Sequence, residues 1–314
     1  MKIKDFVRLF EIGKRRYHLI GNGHAGVLVG LDLEGRLYAI FRDKVLNRVN
    51  PDAILGQSTA EKYLNPGGDG LWPAPEGTCL GYQYATGKWR VPPGLSGARY
   101  WIVRSSSNQA VIRAEIDLIN SKGRGIPVAF ERHIAVRPRQ NGMFVKVGEC
   151  IEYMGVKPLT SSELLIAPWT LAQFDSGPGC EVVFPATSAA DVWDLYAPSD
   201  SERRNDGKLW HARTEGKCRY QIGIGKNVDW IEYRDPRRGL NVRRRANAPL
   251  RGQAYIDIAD RPPAEAPRKR GVRYSVYSDP SGFMEIEAAG GCPKILLPGM
   301  RLTMTVSTGF FQKK

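Results

Sequence analysis

The chain predicts an all-β, antiparallel fold with few short helices, and three observations carry that prediction. Short runs of branched and aromatic residues alternate with polar ones, as half-buried strands do. Turn-forming clusters separate these runs at short intervals. The 34 glycines and 21 prolines among 314 residues punctuate many loops, as a long antiparallel chain requires.

Residues 2–10 have the spacing of a short amphipathic helix. A strand follows over 25–31, closed by the turn Asp32-Leu-Glu-Gly35, and further strands are expected over 100–104, 109–116, 128–136 and 143–151. Asn120-Ser-Lys-Gly-Arg-Gly125 and Arg139-Gln-Asn-Gly142 supply the intervening turns, and Ser176-Gly-Pro-Gly179 and Asp279-Pro-Ser-Gly282 two later ones. A second short helix is expected over 188–195. No solenoid or propeller period is visible, and the chain beyond the proline-rich 261–267 is too short for a stable core of its own. Residues 1–314 are therefore read as a single large β-sandwich domain with its core over about 15–310.

With 42% hydrophobic and 25% charged residues, the composition is that of a globular protein and excludes wholesale disorder. No apolar run approaches the ~20 residues of a membrane helix, so no membrane partner is expected. Lys2, Lys4, Arg8, Lys14, Arg15 and Arg16 interrupt the amino-terminal stretch, which leaves no signal-peptide core and predicts a cytoplasmic protein. Five scattered cysteines, Cys79, Cys150, Cys180, Cys218 and Cys292, form no close pairs and read as thiols in a reducing compartment. The excess of 46 basic over 32 acidic side chains suggests anionic partners. Its densest runs, 234–251 and 268–273, read as a hairpin tip and a solvated proline-rich loop, so no specific nucleic-acid partner is expected.

The most informative stretch is Leu64-Asn-Pro-Gly-Gly-Asp-Gly-Leu-Trp-Pro-Ala-Pro-Glu-Gly77, read as a shaped loop around an exposed-type tryptophan. Here the chain resembles the galactose mutarotase-like (aldose 1-epimerase-like) superfamily, in particular a bacterial branch of unknown function with a Gly-Gly-x-x-Leu-Trp-Pro-Ala-Pro-Glu loop. Leu19-Ile-Gly-Asn-Gly-His24 through 33–40 is similar to the superfamily's first hairpin. Ala167-Pro-Trp-Thr-Leu-Ala-Gln173 is similar to its central strand, and 277–287 followed by Leu297-Pro-Gly299 to its final strands. The resemblance implies a β-supersandwich whose concave face binds a carbohydrate or sugar phosphate, with no cofactor, as a monomer or homodimer.

Mutarotation needs a base for the anomeric hydroxyl proton and an acid for the ring oxygen. In the superfamily these are a late glutamate and a mid-chain histidine. Glu287 matches the base, and Glu285, two residues earlier on the same strand face, is its rival. If both enter one pocket, their repulsion raises one pKa. The histidine has no counterpart: Trp169 or Thr170 stands where an imidazole is expected. His18, His24, His133 and His211 lie outside any matching motif and lack the spacing of a preorganised metal pair, so no metal is expected.

Sugars stack their C–H faces on aromatic rings and pair their hydroxyls with charged and amide groups. Trp72 and Trp169 are the leading platforms among Trp72, Trp89, Trp101, Trp169, Trp210 and Trp230. Asp69 and Glu76 of the loop, Arg90, Arg99, Lys226 and His133 are the candidate polar contacts. Two alternatives stay open: a noncatalytic sugar-binding or structural protein that has lost the histidines, and an anion or nucleic-acid binder using its arginines.

Overall fold

The computed structural model describes residues 1–59, 62–82 and 93–312, and in it the strands pair into two ten-stranded antiparallel sheets. The first runs through Tyr17–Gly21, Ala25–Gly30, Arg36–Phe41, Asp69–Ala74, Ala167–Asp175, Phe283–Ala289, Tyr274–Asp279, Tyr220–Ile224 and Val192–Asp194, with Lys44–Val45 joined to Arg36–Phe41. The second runs through Arg203–Asn205, Leu209–Arg213, Glu181–Pro185, Ile231–Asp235, Leu240–Ala246, Arg301–Gln312, Gly142–Tyr153, Gly125–Arg139, Gln109–Ile119 and Trp101–Ser105. The predicted all-β class, with few short helices, is the one observed.

Alternation decides which side chains meet. Val27, Val29, Leu37 and Leu71 of the first sheet belong to the same core as Ile112, Phe130, Val147 and Met304 of the second. Their neighbours in sequence, Leu28, Tyr38 and Ile40, face the other way and are covered by the helix Ile3–Ile12, whose Phe6 and Phe10 stand one turn apart. The helix expected over 188–195 is reduced to the 3-10 turn Ala189–Asp191, because Val192 and Trp193 continue as a strand beside Tyr220–Ile224.

Two sequence expectations need correction. The glycine-proline segment is not only a loop: Asp69–Ala74 is a central strand, and Trp72 is 2% exposed. Gly67, at φ +81°, brings the chain so close to Arg48 that a Cβ would lie 2.3 Å from its carbonyl oxygen. A Cβ on Gly70 would lie 2.7 Å from the Arg36 guanidinium carbon. Pro73 is tolerated because pairing with Arg36–Phe41 is confined to Leu37 and Asp69, so its missing N–H interrupts no ladder on that side.

The arginines of the first basic run are not confined to a hairpin tip. Arg243, Arg244 and Arg245 lie within the strand Leu240–Ala246, and Arg244 is wholly buried because Asp69 Oδ2 sits 3.0 Å from its Nη2. The proline-rich segment is a surface loop, as expected, anchored by its backbone. Thr78 N–H donates to the Arg261 carbonyl at 3.0 Å, and Cys79 N–H to the Glu265 carbonyl at 2.8 Å. These bonds fasten it to the end of the tryptophan segment.

Candidate functional site

The same alternation that fills the core leaves a second set of side chains on the outer face of the first sheet. Trp72 stands opposite Trp169, Leu171 opposite Glu287, and Gln173 opposite Glu285. Tyr277 stands opposite both Glu285 and Gln221 on its two neighbouring strands. Trp72, Trp169, Leu171, Gln221, Tyr277, Asp279, Phe283 and Glu285 line a cavity of about 440 Å³, with Arg219 just before the Tyr220–Ile224 strand. Loops complete it with Tyr63, Asn65, Glu76, Tyr196 and Asp260. The volume is that of a small-molecule pocket.

Two buried carboxylates hold the tryptophans. Trp72 Nε1 donates to Glu34 Oε2 at 3.2 Å, and Glu34 is fixed by Arg36 at 2.8 Å and by the Tyr63 hydroxyl at 2.7 Å. Trp169 Nε1 donates to Glu287 Oε2 at 3.0 Å. The two rings stand edge to face, 6.0 Å apart at 82°. With each indole N–H satisfied, both side chains are fixed in orientation.

Glu285 forms the floor, with Glu287 buried behind it. Glu287 is fully buried and accepts from Gln221 Nε2 at 3.0 and 3.1 Å. Glu285, 7% exposed, accepts from Gln173 Nε2 at 2.5 Å and lines the cavity itself. Among the described residues neither makes an ion pair. Burial pushes Glu285 upward, and burial followed by the charge of Glu285 pushes Glu287 well above the carboxylate range. Both carboxyls are therefore shifted toward their protonated forms.

Above this floor, Tyr277 donates its hydroxyl proton to Asp279 Oδ2 at 2.5 Å and accepts from Arg219 Nε at 3.1 Å. The Arg219 guanidinium lies over Tyr196 and Tyr277, 5.0 and 5.8 Å from their centroids. Burial also raises the Asp260 carboxyl.

Of the residues singled out in the sequence, Trp72, Trp169, Glu76, Glu285 and Glu287 are brought together here. Asp69 is not. It differs from Trp72 by an odd number of residues on one strand, so it points between the sheets, where Arg132 and Arg244 reach it at 3.4 and 3.0 Å. His133 lies on the second sheet against Glu131 at 2.6 Å, and Arg99 lines a different surface depression. Lys226 is exposed, and its carbonyl accepts from Arg273. Arg90 lies outside the described residues. The sequence reading missed Tyr277, Asp279 and Phe283, which two-residue alternation from Glu285 and pairing across the Asp279–Gly282 turn put on the same face. It also missed Gln221, Arg219 and Asp260, which strand pairing and loop packing alone bring in.

The two antiparallel sheets form a β-sandwich whose fold is similar to that of galactose mutarotase-like structures. An Escherichia coli "putative aldose 1-epimerase" superposes with TM-score 0.58 at 13% identity, covering 95% of this chain and 100% of its own. A galactose mutarotase-like protein from Lactobacillus casei superposes with TM-score 0.56 at 10% identity, covering 94% and 100%. No family model matches the sequence, and no curated protein matches it. No helix among the described residues is long and apolar enough to cross a membrane.

Proposed function

We propose that the cavity binds a single sugar ring and interconverts its anomers through the Glu285–Glu287 pair. The observation that carries this reading is a buried carboxyl pair, Glu285 on the cavity wall and Glu287 held by the Trp169 indole, beside two tryptophans fixed in orientation. The anomeric hydroxyl oxygen and the ring oxygen are both bonded to the anomeric carbon, just as the two oxygens of a carboxyl group share one carbon. When the proton shared by the pair sits on Glu285, that carboxyl can therefore give it to the ring oxygen while its other oxygen takes the hydroxyl proton. The ring C–O bond breaks, the carbonyl forms, and Glu285 ends protonated as it began. This one-group exchange supplies acid and base without the absent imidazole, and Glu287 behind it keeps the proton in the pair.

A noncatalytic sugar receptor is the second reading, favoured by the lack of any histidine among the described residues that line the cavity. NMR magnetisation exchange between the α and β anomers of a panel of aldoses separates the two. Enhanced exchange that Glu285→Gln abolishes supports catalysis. Saturable binding without enhancement supports the receptor.

A further inference from the structure

We propose that the ligand carries a basic amine, so that the cavity takes an amino sugar in preference to a neutral aldose or a sugar phosphate. This rests on the sugar reading above and adds a charge to it. The argument begins from a contrast: the chain as a whole carries +14, yet the described residues lining the cavity include four carboxyls, Glu76, Asp260, Asp279 and Glu285, against one cation, Arg219. Arg219 is already engaged by Tyr277, as is Asp279. Asp260 and Glu285 make no ion pair among the described residues.

The neighbouring cations do not alter this account. Arg36, whose charge reaches Glu285, is itself paired with Glu34 at 2.8 Å, and Arg48 lies over the Phe283 ring at 4.7 Å and is not among the lining residues. A phosphate dianion would meet four carboxyls and, among the described lining residues, one cation already engaged by Tyr277, in a partly desolvated space where Coulomb terms are several times stronger than in water. An ammonium group would gain the carboxyls and lie beside the aromatic rings of Tyr63, Trp72 and Trp169. Among the described residues no group of three or more His, Cys, Asp or Glu is disposed to hold a metal ion. Burial holds Asp260 and Glu285 toward their neutral forms, so an arriving ammonium ionises one of them and releases a proton.

The test is a fluorescence titration, at about pH 6.5 so that the amine is protonated, with D-glucosamine, N-acetylglucosamine, D-glucose, D-glucose 6-phosphate and ethanolamine. Glucosamine is expected to bind at least about tenfold more tightly than glucose or the uncharged N-acetyl form, and glucose 6-phosphate most weakly. Asp260→Asn should narrow the glucosamine-to-glucose ratio, and calorimetry in two buffers should show proton release with glucosamine alone. Because the N-acetyl comparison uses the native chain, a variant that fails to fold does not affect it. Glucose binding as tightly as glucosamine, or glucose 6-phosphate binding more tightly, overturns the amine and leaves the sugar reading intact. Ethanolamine binding while every sugar fails overturns the sugar reading and with it the amino sugar. Absence of all binding overturns both.

Discussion

The first sheet buries charge in two ways. Between the sheets, Arg132 meets Glu149 at 2.7 Å and Asp69 at 3.4 Å, while Arg244 meets Asp69 at 3.0 Å and the Thr170 hydroxyl at 2.7 Å. Two cations there answer two anions. On the outer face Glu34 is matched by Arg36 at 2.8 Å, whereas Glu285 and Glu287 make no ion pair among the described residues and accept from amides and an indole. Matched charge welds the sheets together, and unmatched carboxyls store protons. Burial alone therefore does not mark a functional group; burial without a counter-charge does.

The largest expected effect breaks the inner face. Arg132→Met leaves Glu149 buried and uncompensated and should cost about 3–5 kcal/mol, read as a lower urea midpoint. On the outer face, Glu287→Gln removes a repulsion and should leave stability unchanged within about 1 kcal/mol or raise it. Equal losses in the two variants would erase the distinction.

Next in size is the response to pH. The raised pair binds more protons folded than unfolded between the ordinary glutamate value of 4.5 and its folded value. Its contribution to stability is thus complete below 4.5 and falls as pH rises through that window. Catalysis by protonated Glu285 should decline over the same window. Glu131 on the second sheet has the reverse sign: burial opposes it, but hydrogen bonds from His133 and Arg301 hold it at about 2, so its contribution is lost as pH falls from 4.5 toward 2. Chemical denaturation across pH should show the falling limb flattened in the Glu285→Gln/Glu287→Gln double variant and the acid limb flattened in Glu131→Gln.

A smaller effect tests the tryptophan anchor. Trp72→Phe loses one hydrogen bond to Glu34, which keeps Arg36 and Tyr63, and should cost about 1 kcal/mol beyond repacking, with weaker sugar binding by calorimetry. Smallest of all, Lys226→Ala should change stability by less than about 0.5 kcal/mol and leave sugar affinity unaltered. A large change there would draw the binding region toward the surface the sequence first suggested.

The chain by itself determined the all-β class, the strands over 25–31, 100–104, 109–116, 128–136 and 143–151 and the turns between them, while Trp72, Trp169, Glu285 and Glu287 were singled out through a family resemblance and Asp69–Ala74 read as a loop. Period-two alternation and turn chemistry are local properties, and the glycine-proline segment announces its backbone demands directly. Asp69 shows where that legibility stopped: one carboxylate beside a tryptophan looks like another until strand parity assigns it a face. Glu34, Gln221, Arg219 and Asp260 show the remainder. They reach Trp72, Glu287, Tyr277 and the cavity wall across separations of up to 188 residues, from Trp72 to Asp260, beside the Arg261 that Thr78 fastens. Only pairing of distant strands and docking of loops decided those meetings, because hydrogen-bond partners between remote segments are selected by the assembled surface and leave no periodic trace in either segment alone.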